Sequence, residues 1–148
     1  MALRKTVHSA LEPAGLASLP GRLGGAGAGT ALIKLEGAAQ PLEEKIALAH
    51  GLLGDGVTRL DGDDDIFARI GSGEMFADLP GDVWRVMIAP SEAPRVAKEL
   101  NAKHWLGDLA GGMLWLAASP LDASRVRHVA AAANGQAMLL RASAESTV

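Results

Sequence analysis

The middle of the chain alternates its side chains with a period of two. In Val83–Ala89, the residues Trp84, Val86 and Ile88 point to one side, and that side is wholly apolar. The other side has one cation, Arg85, among apolar neighbours. β-branched and aromatic residues without glycine are typical of a strand. The pattern predicts a strand whose apolar side belongs to the core and whose Arg85 side is covered by something other than this domain's helices.

A complete α+β unit is predicted from this strand onward. Its later elements are a helix capped by Ser91 with apolar positions at 93, 96, 97 and 100, the strands His104–Asp108 and Met113–Ala117 around a glycine turn at 109–112, a helix capped by Ser119 that stops at Asn134-Gly135, and the strand Gln136–Arg141. The order strand, helix, strand, strand, helix, strand is that of the ferredoxin-like βαββαβ unit. We therefore expect a mainly antiparallel sheet with helices on one face.

The first half is predicted to extend the same sheet by a βαβα segment. Its elements are the strand Ala31–Gly37, the helix Pro41–Leu53, the short strand Val57–Leu60 and a helix from Asp64 to about Ile70. Residues 1–30 include two prolines and five glycines between positions 21 and 29, so they are expected to form an irregular lead-in. The single α+β domain then spans residues 31–142, with a tail at 143–148.

The predicted sheet leaves one face without helices. We call it the free face, formed by Val83, Arg85, Met87, Met113 and Trp115. The first and third strands of a ferredoxin-like unit are neighbours, so Arg85 and Trp115 are expected to touch across the pair. An apolar patch of this kind favours association. In the isolated chain, a second copy or the Gly21–Gly29 segment is therefore expected to cover it.

Composition excludes several classes of function. A net charge of −3 and a small aromatic set, with no Tyr, argue against nucleic-acid binding. The absence of Cys leaves no disulfide, no thiolate nucleophile and no iron–sulfur site in this sequence, which suits a cytoplasmic protein. No apolar run is long enough for a signal peptide or a membrane span.

Two local runs suggest ligand sites, and in both cases a structural interpretation is favoured. The run Gly24–Gly29 is followed by a strand, whereas a phosphate-binding fingerprint needs a strand before it and a helix after it. The run Asp61–Asp65 lacks the spacing of a calcium loop and suits a turn that opens a helix. No metal is predicted, because the four histidines are widely spaced: His8, His50, His104 and His128.

Several groups of residues in combination carry a resemblance to a known family. They are Val83-Trp84-Arg85-Val86 with Ala89-Pro90-Ser91, Trp105-Leu106-Gly107-Asp108 with Gly111-Gly112 and Trp115-Leu116, Val126-Arg127, and Asn134 to Arg141, preceded by Leu16 to Pro20 and Leu35-Glu36-Gly37. From about Ser9 onward, the chain resembles the C-terminal domain of the FAD-binding subunit of bacterial glycolate oxidase. It departs at Leu109, where such domains usually have Trp.

The resemblance implies a flavoprotein that oxidises glycolate or a similar 2-hydroxy acid. FAD would be held by a preceding domain of the vanillyl-alcohol-oxidase type, and a partner subunit would carry iron–sulfur clusters. This sequence resembles the substrate-side or cap domain alone. It is therefore expected to bind no cofactor itself and to be inactive in isolation. The alternative is a non-catalytic ferredoxin-like module for ligand binding or assembly.

The candidate site residues follow from the charge of a 2-hydroxy acid. Arg85, on the free face, is the first candidate to bind the carboxylate, and Arg141 on the last strand is the second; an ordinary ion pair is the alternative for both. Asp108 is a candidate base or a turn cap. Trp105 and Trp115 either line a pocket or belong to the core. No catalytic residue is assigned.

Overall fold

The computed structural model describes residues 2–19, 29–60, 66–118 and 123–144. Within these ranges the chain forms five α-helices, two short 3₁₀ turns and a six-stranded sheet. The helices are α1 Ala2–Val7, α2 Ala39–Leu53, α3 Ile66–Ser72, α4 Ala93–Glu99 and α5 Ala123–Ala132, and the 3₁₀ turns are Glu74–Phe76 and Leu109–Gly111. The strands are β1 Gly15–Leu19, β2 Thr30–Lys34, β3 Asp82–Met87, β4 His104–Asp108, β5 Met113–Ala118 and β6 Gln136–Arg141.

The sheet has the order β2-β1-β4-β5-β3-β6, and every neighbouring pair is antiparallel. Its last four strands have the ferredoxin-like arrangement, because β3 lies between β5 and β6 while β4 follows β5. The predicted α+β class with an antiparallel sheet is thereby confirmed. The predicted hairpin is also confirmed, with β4 and β5 joined through Leu109–Gly111.

The first half differs from the expected lead-in and βαβα segment. Residues 2–19 contain α1 and β1, and β1 pairs along its whole length with β2. Gly-Leu-Ala-Ser-Leu has weak intrinsic strand preference, so its pairing partners decide its conformation. The predicted strand Val57–Leu60 is wrong: these residues form no strand, and Leu60 is 74% exposed, so the apolar run buries little.

Some predicted features lie outside the described residues. They are the acidic run at 61–65, the Ser119 cap with its proline, and most of the glycine run at 24–29. The helix expected from Asp64 is described from Ile66 and ends two residues later than predicted, at Ser72. Ser91 does not cap α4, because Glu92 occupies the N-cap position and provides no side-chain hydrogen bond.

The main core lies between the sheet and the helices α4 and α5. Trp84, Val86 and Ile88 pack there against apolar residues of both helices, as the alternation predicts. Leu114 and Leu116 of β5 point to the same side. The hydrophobic effect fixes the register of β3, because a shift of its pairing by one residue would move all three apolar side chains out of the core.

A second core lies on the opposite face of the sheet. Ile70 of α3 and Phe76 of the following 3₁₀ turn pack there against Val83, Leu106 and Trp115. The sequence predicts helices on the other face only and leaves this face to a second copy or to the Gly21–Gly29 segment. In the structure, the chain's own residues 66–79 cover part of it.

Candidate functional site

The free face is covered in part by residues 66–79. Val83 and Trp115 lie beneath α3 and the 3₁₀ turn and are 4% and 3% exposed. Beyond this cover, the sheet surface near β6 remains open to solvent. We call this exposed part the open patch; it consists of Arg85, Met87, Met138 and Leu140. Its three apolar side chains are 43–53% exposed.

Arg85 lies at the boundary between the covered and the open parts. It is directly opposite Trp115 on β5 and Met138 on β6. Its Cζ is 5.9 Å from the centroid of the Trp115 ring, and its Nη2 is 3.7 Å from the Met138 sulfur. The predicted contact between Arg85 and Trp115 is confirmed. No carboxylate of the described residues pairs with this guanidinium, so its hydrogen-bonding edge is available to an anion.

Trp115 is fixed by the segment that covers it. The Phe76 ring stacks on it at a centroid distance of 6.3 Å and an interplanar angle of 17°. Gly73 approaches the indole so closely that a Cβ there would lie 2.7 Å from Cζ3, and its φ is +76°. The predicted helix ends at about Ile70, so the sequence pattern does not predict this contact. The signal that identifies the cover is this glycine followed by the apolar pair Met75 and Phe76.

A small cavity of about 190 Å³ lies between this cover and the sheet. It is lined by Ser72, Gly73, Phe76, Val83, Trp115, Leu140 and Arg141. The Nε1 of Trp115 is buried and has no hydrogen-bond acceptor among the described residues. A buried donor without a partner costs about 1–3 kcal/mol.

Arg141 holds the cover in place. Its Nη1 donates to the carbonyl oxygen of Ala77 at 2.7 Å, and its Nη2 donates to that of Leu79 at 2.5 Å. The carbonyls lie 62 and 64 residues away in the chain, so sequence spacing alone gives no sign of these contacts. The structure therefore gives this candidate a positioning role for the segment that covers Trp115.

Replacing Arg141 by alanine should loosen this segment without unfolding the domain. Hydrogen bonds from a charged donor are worth about 1.5–3 kcal/mol each, so we expect the amides of Ala77 and Leu79 to exchange at least about 10-fold faster. Hydrogen exchange measures this directly. Arg125→Ala is the matched control, because Arg125 donates to the Glu99 carbonyl at 2.8 Å on another part of the surface. Equal exchange in both variants would remove the positioning role.

The remaining candidates do not join this site. Asp108 accepts a hydrogen bond at 2.7 Å from the Leu109 amide and caps the 3₁₀ turn, two strands away from β3. This geometry matches the turn-cap alternative. Trp105 packs against the main core on the α4 and α5 side, so it does not share a pocket with Trp115.

The described ranges contain no group of three or more His, Asp or Glu residues that could hold a metal ion. No helix within them is long and apolar enough to cross a membrane. Comparison of the chain with protein-family models, curated proteins and solved structures found no match. The arrangement of Arg85, Trp115 and the open patch is thus the structural basis for the functional assignment.

Proposed function

We propose that this chain is the substrate-side domain of an FAD-dependent oxidoreductase acting on glycolate or a similar 2-hydroxy acid. The observation that carries the proposal is the position of Arg85: a guanidinium without a carboxylate partner among the described residues, on an incompletely covered sheet face. The sequence resemblance from about Ser9 to Arg141 supports the same assignment. The proposal includes a flavin domain and an iron–sulfur partner subunit, and a cytoplasmic location.

The described residues do not fit FAD binding by this chain alone. Pyrophosphate binding favours a glycine-rich turn that leads from a strand into a helix. The connection into α2 has a single glycine, Gly37, and the connection into α4 has none, so neither is a glycine-rich turn of this kind. The cofactor would accordingly be held by the flavin domain, and the oxidation belongs to its chemistry.

Within that assembly, the role of this domain is to bind and orient the substrate. The planar guanidinium of Arg85 can donate two parallel hydrogen bonds to a carboxylate. Packing on the Trp115 ring restricts its position before substrate arrives, which lowers the entropy lost on binding. When the flavin domain covers the open patch, water is excluded and the ion pair strengthens.

The proposal is tested by supplying the flavin domain. In a chimera, residues 9–144 replace the C-terminal domain of a glycolate oxidase FAD-binding subunit. We expect the purified chimera to be yellow and to oxidise glycolate with an artificial electron acceptor, because the flavin domain provides the cofactor. The chain alone should be colourless at 450 nm. A chimera that folds and binds FAD but oxidises no 2-hydroxy acid would contradict the proposal, and so would stoichiometric flavin on the isolated chain.

A second candidate function is a ligand-binding module without chemistry. The small cavity beside Trp115 is the observation that favours it. Saturable binding of a small acid to the chain, together with an inactive chimera, would select this alternative.

A further inference from the structure

Met138 is the most exposed methionine among the residues that the structure describes. Its side chain is 53% exposed and that of Met87 is 44% exposed, whereas Met75 and Met113 pack partly against the second core. The chain has no cysteine that would compete for an oxidant. A methionine is oxidised to its sulfoxide where an oxidant reaches the sulfur, so Met138 is the described methionine most open to this reaction.

The sulfur of Met138 lies beside a guanidinium. Arg85 and Met138 are directly opposite each other in the antiparallel pair of β3 and β6, and the register shift of this pair lies nearer the start of β3. The Arg85 Nη2 is 3.7 Å from the Met138 sulfur, and the Trp115 ring holds the guanidinium from the other side. Because residues opposite each other in an antiparallel pair have neighbouring Cβ atoms, the strand register keeps the sulfur and the guanidinium together.

We propose that Met138 is an oxidation site whose sulfoxide binds the guanidinium of Arg85. A thioether sulfur is only a weak hydrogen-bond acceptor. Oxidation adds a polar oxygen to the same sulfur atom, so Arg85 gains a strong acceptor with little movement of either side chain. An N–H group that donates to this oxygen is no longer available to an external anion. Oxidation of Met138 thus withdraws a donor of Arg85 from the open patch.

The oxygen comes from a peroxide, of which hydrogen peroxide is the simplest. A lone pair of the Met138 sulfur attacks one peroxide oxygen, so that an S–O bond forms while the O–O bond breaks. The transferred oxygen passes its proton to the departing oxygen, which leaves as water. The sulfur loses two electrons and the peroxide gains them, so no further reactant is needed.

Met87 provides the internal comparison, because it lies in the same open patch with similar exposure. It is directly opposite Met113 on β5 and Gln136 on β6, and neither of these residues is charged. A sulfoxide at Met87 therefore has no cation directly opposite it. The proposal concerns only the contact between Met138 and Arg85, so it does not depend on the flavoprotein assignment.

Treatment of the full 148-residue chain with hydrogen peroxide tests the proposal. Peptide mass spectrometry identifies the oxidised methionines, and NMR in mildly acidic buffer measures how fast the Arg85 guanidinium protons exchange with water. We expect Met138 to gain one oxygen in the folded chain and the exchange to slow at least about 3-fold, the range of an exposed charge-assisted contact. Met87→Leu should respond in the same way. Met138→Leu is the matched control and should show no slowing, although its Met87 is still oxidised.

Reversal of the reaction separates a sulfoxide contact from oxidative damage. Methionine sulfoxide reductases of both epimer specificities should restore the original exchange rate of the Arg85 protons. The proposal is overturned if Met138 stays unoxidised in the folded chain, or if its oxidation leaves the Arg85 exchange unchanged or faster. It is equally overturned if peroxide slows the exchange in Met138→Leu as well, or if reduction of the sulfoxide does not restore it.

Discussion

Replacing Arg85 by alanine in the glycolate-oxidising chimera is expected to lower kcat/KM for glycolate about 10²-fold or more. A charge-assisted hydrogen-bonded contact is worth a few kcal/mol, and each 1.4 kcal/mol is a factor of about 10 in rate. The measurement is steady-state kinetics over a range of glycolate concentrations. Arg85→Lys keeps the charge but loses the two parallel donors, so its kcat/KM should lie between those of the unmodified chimera and of Arg85→Ala.

Arg127 of α5 provides a matched control, because it packs on Trp84, whose side chain lies on the other face of β3. The Arg127 Cζ is 5.7 Å from the Trp84 ring, a cation–π geometry like that of Arg85 on Trp115, but on the α5 side. Arg127→Ala removes a similar packing contact without touching the open patch, so kinetics should stay unchanged. The circular dichroism spectra of both variants should match the parent, because both guanidinium groups lie outside the cores. Normal kinetics in Arg85→Ala would end the substrate-side assignment of this face.

Replacing Gly135 by alanine is expected to destabilise the domain by about 3 kcal/mol or more. A Cβ at this position would lie 2.5 Å from Cγ2 of Ile88 and in direct overlap with the Met87 carbonyl oxygen. The obstruction includes backbone at the end of strand β3, so it is relieved only by moving β3 or the turn between α5 and β6. Overpacking of this kind commonly costs 1–3 kcal/mol, and rigid surroundings place it at the upper end.

Thermal unfolding of the variant checks this expectation. For a domain of this size, a loss of about 3 kcal/mol lowers Tm by roughly 10 °C. The control is Gly51→Ala in α2, where a Cβ meets no atom within 4 Å. Alanine favours a helix over glycine by about 0.5–1 kcal/mol, so the control should raise Tm slightly. Equal stability of the two variants would contradict the close approach at Gly135.

The sequence predicts the second half of the fold well because its signals are local. The period of two in β3, the helical spacing in α4 and the turn between β4 and β5 each report burial within a few residues. Alternation also identifies the two sides of β3 correctly, and with the ferredoxin-like order it places Arg85 beside Trp115. The Asn134-Gly135 stop is predicted as well, although Asn134 takes the left-handed conformation with φ +53° and Gly135 serves close packing.

The first half is predicted less well, because its elements depend on distant partners. β1 is a weak strand by composition and forms because β2 and β4 provide hydrogen bonds on both sides. Val57–Leu60 has a stronger strand composition but finds no partner strand. A backbone segment becomes a strand only when another strand satisfies its donors and acceptors, and local composition does not specify that partner.

In the candidate site, too, some features follow from the local sequence and others only from the tertiary structure. Its residue types follow from the sequence: a lone cation on an apolar face, a tryptophan on the neighbouring strand and an arginine in the last strand. The tertiary structure decides their roles, because residues 66–79 fold over Trp115, engage Arg141 through two backbone carbonyls and leave Arg85 at the margin. Periodicity shows which side of a strand is buried. What buries it depends on contacts between residues far apart in the chain, and those arise only when the whole domain packs.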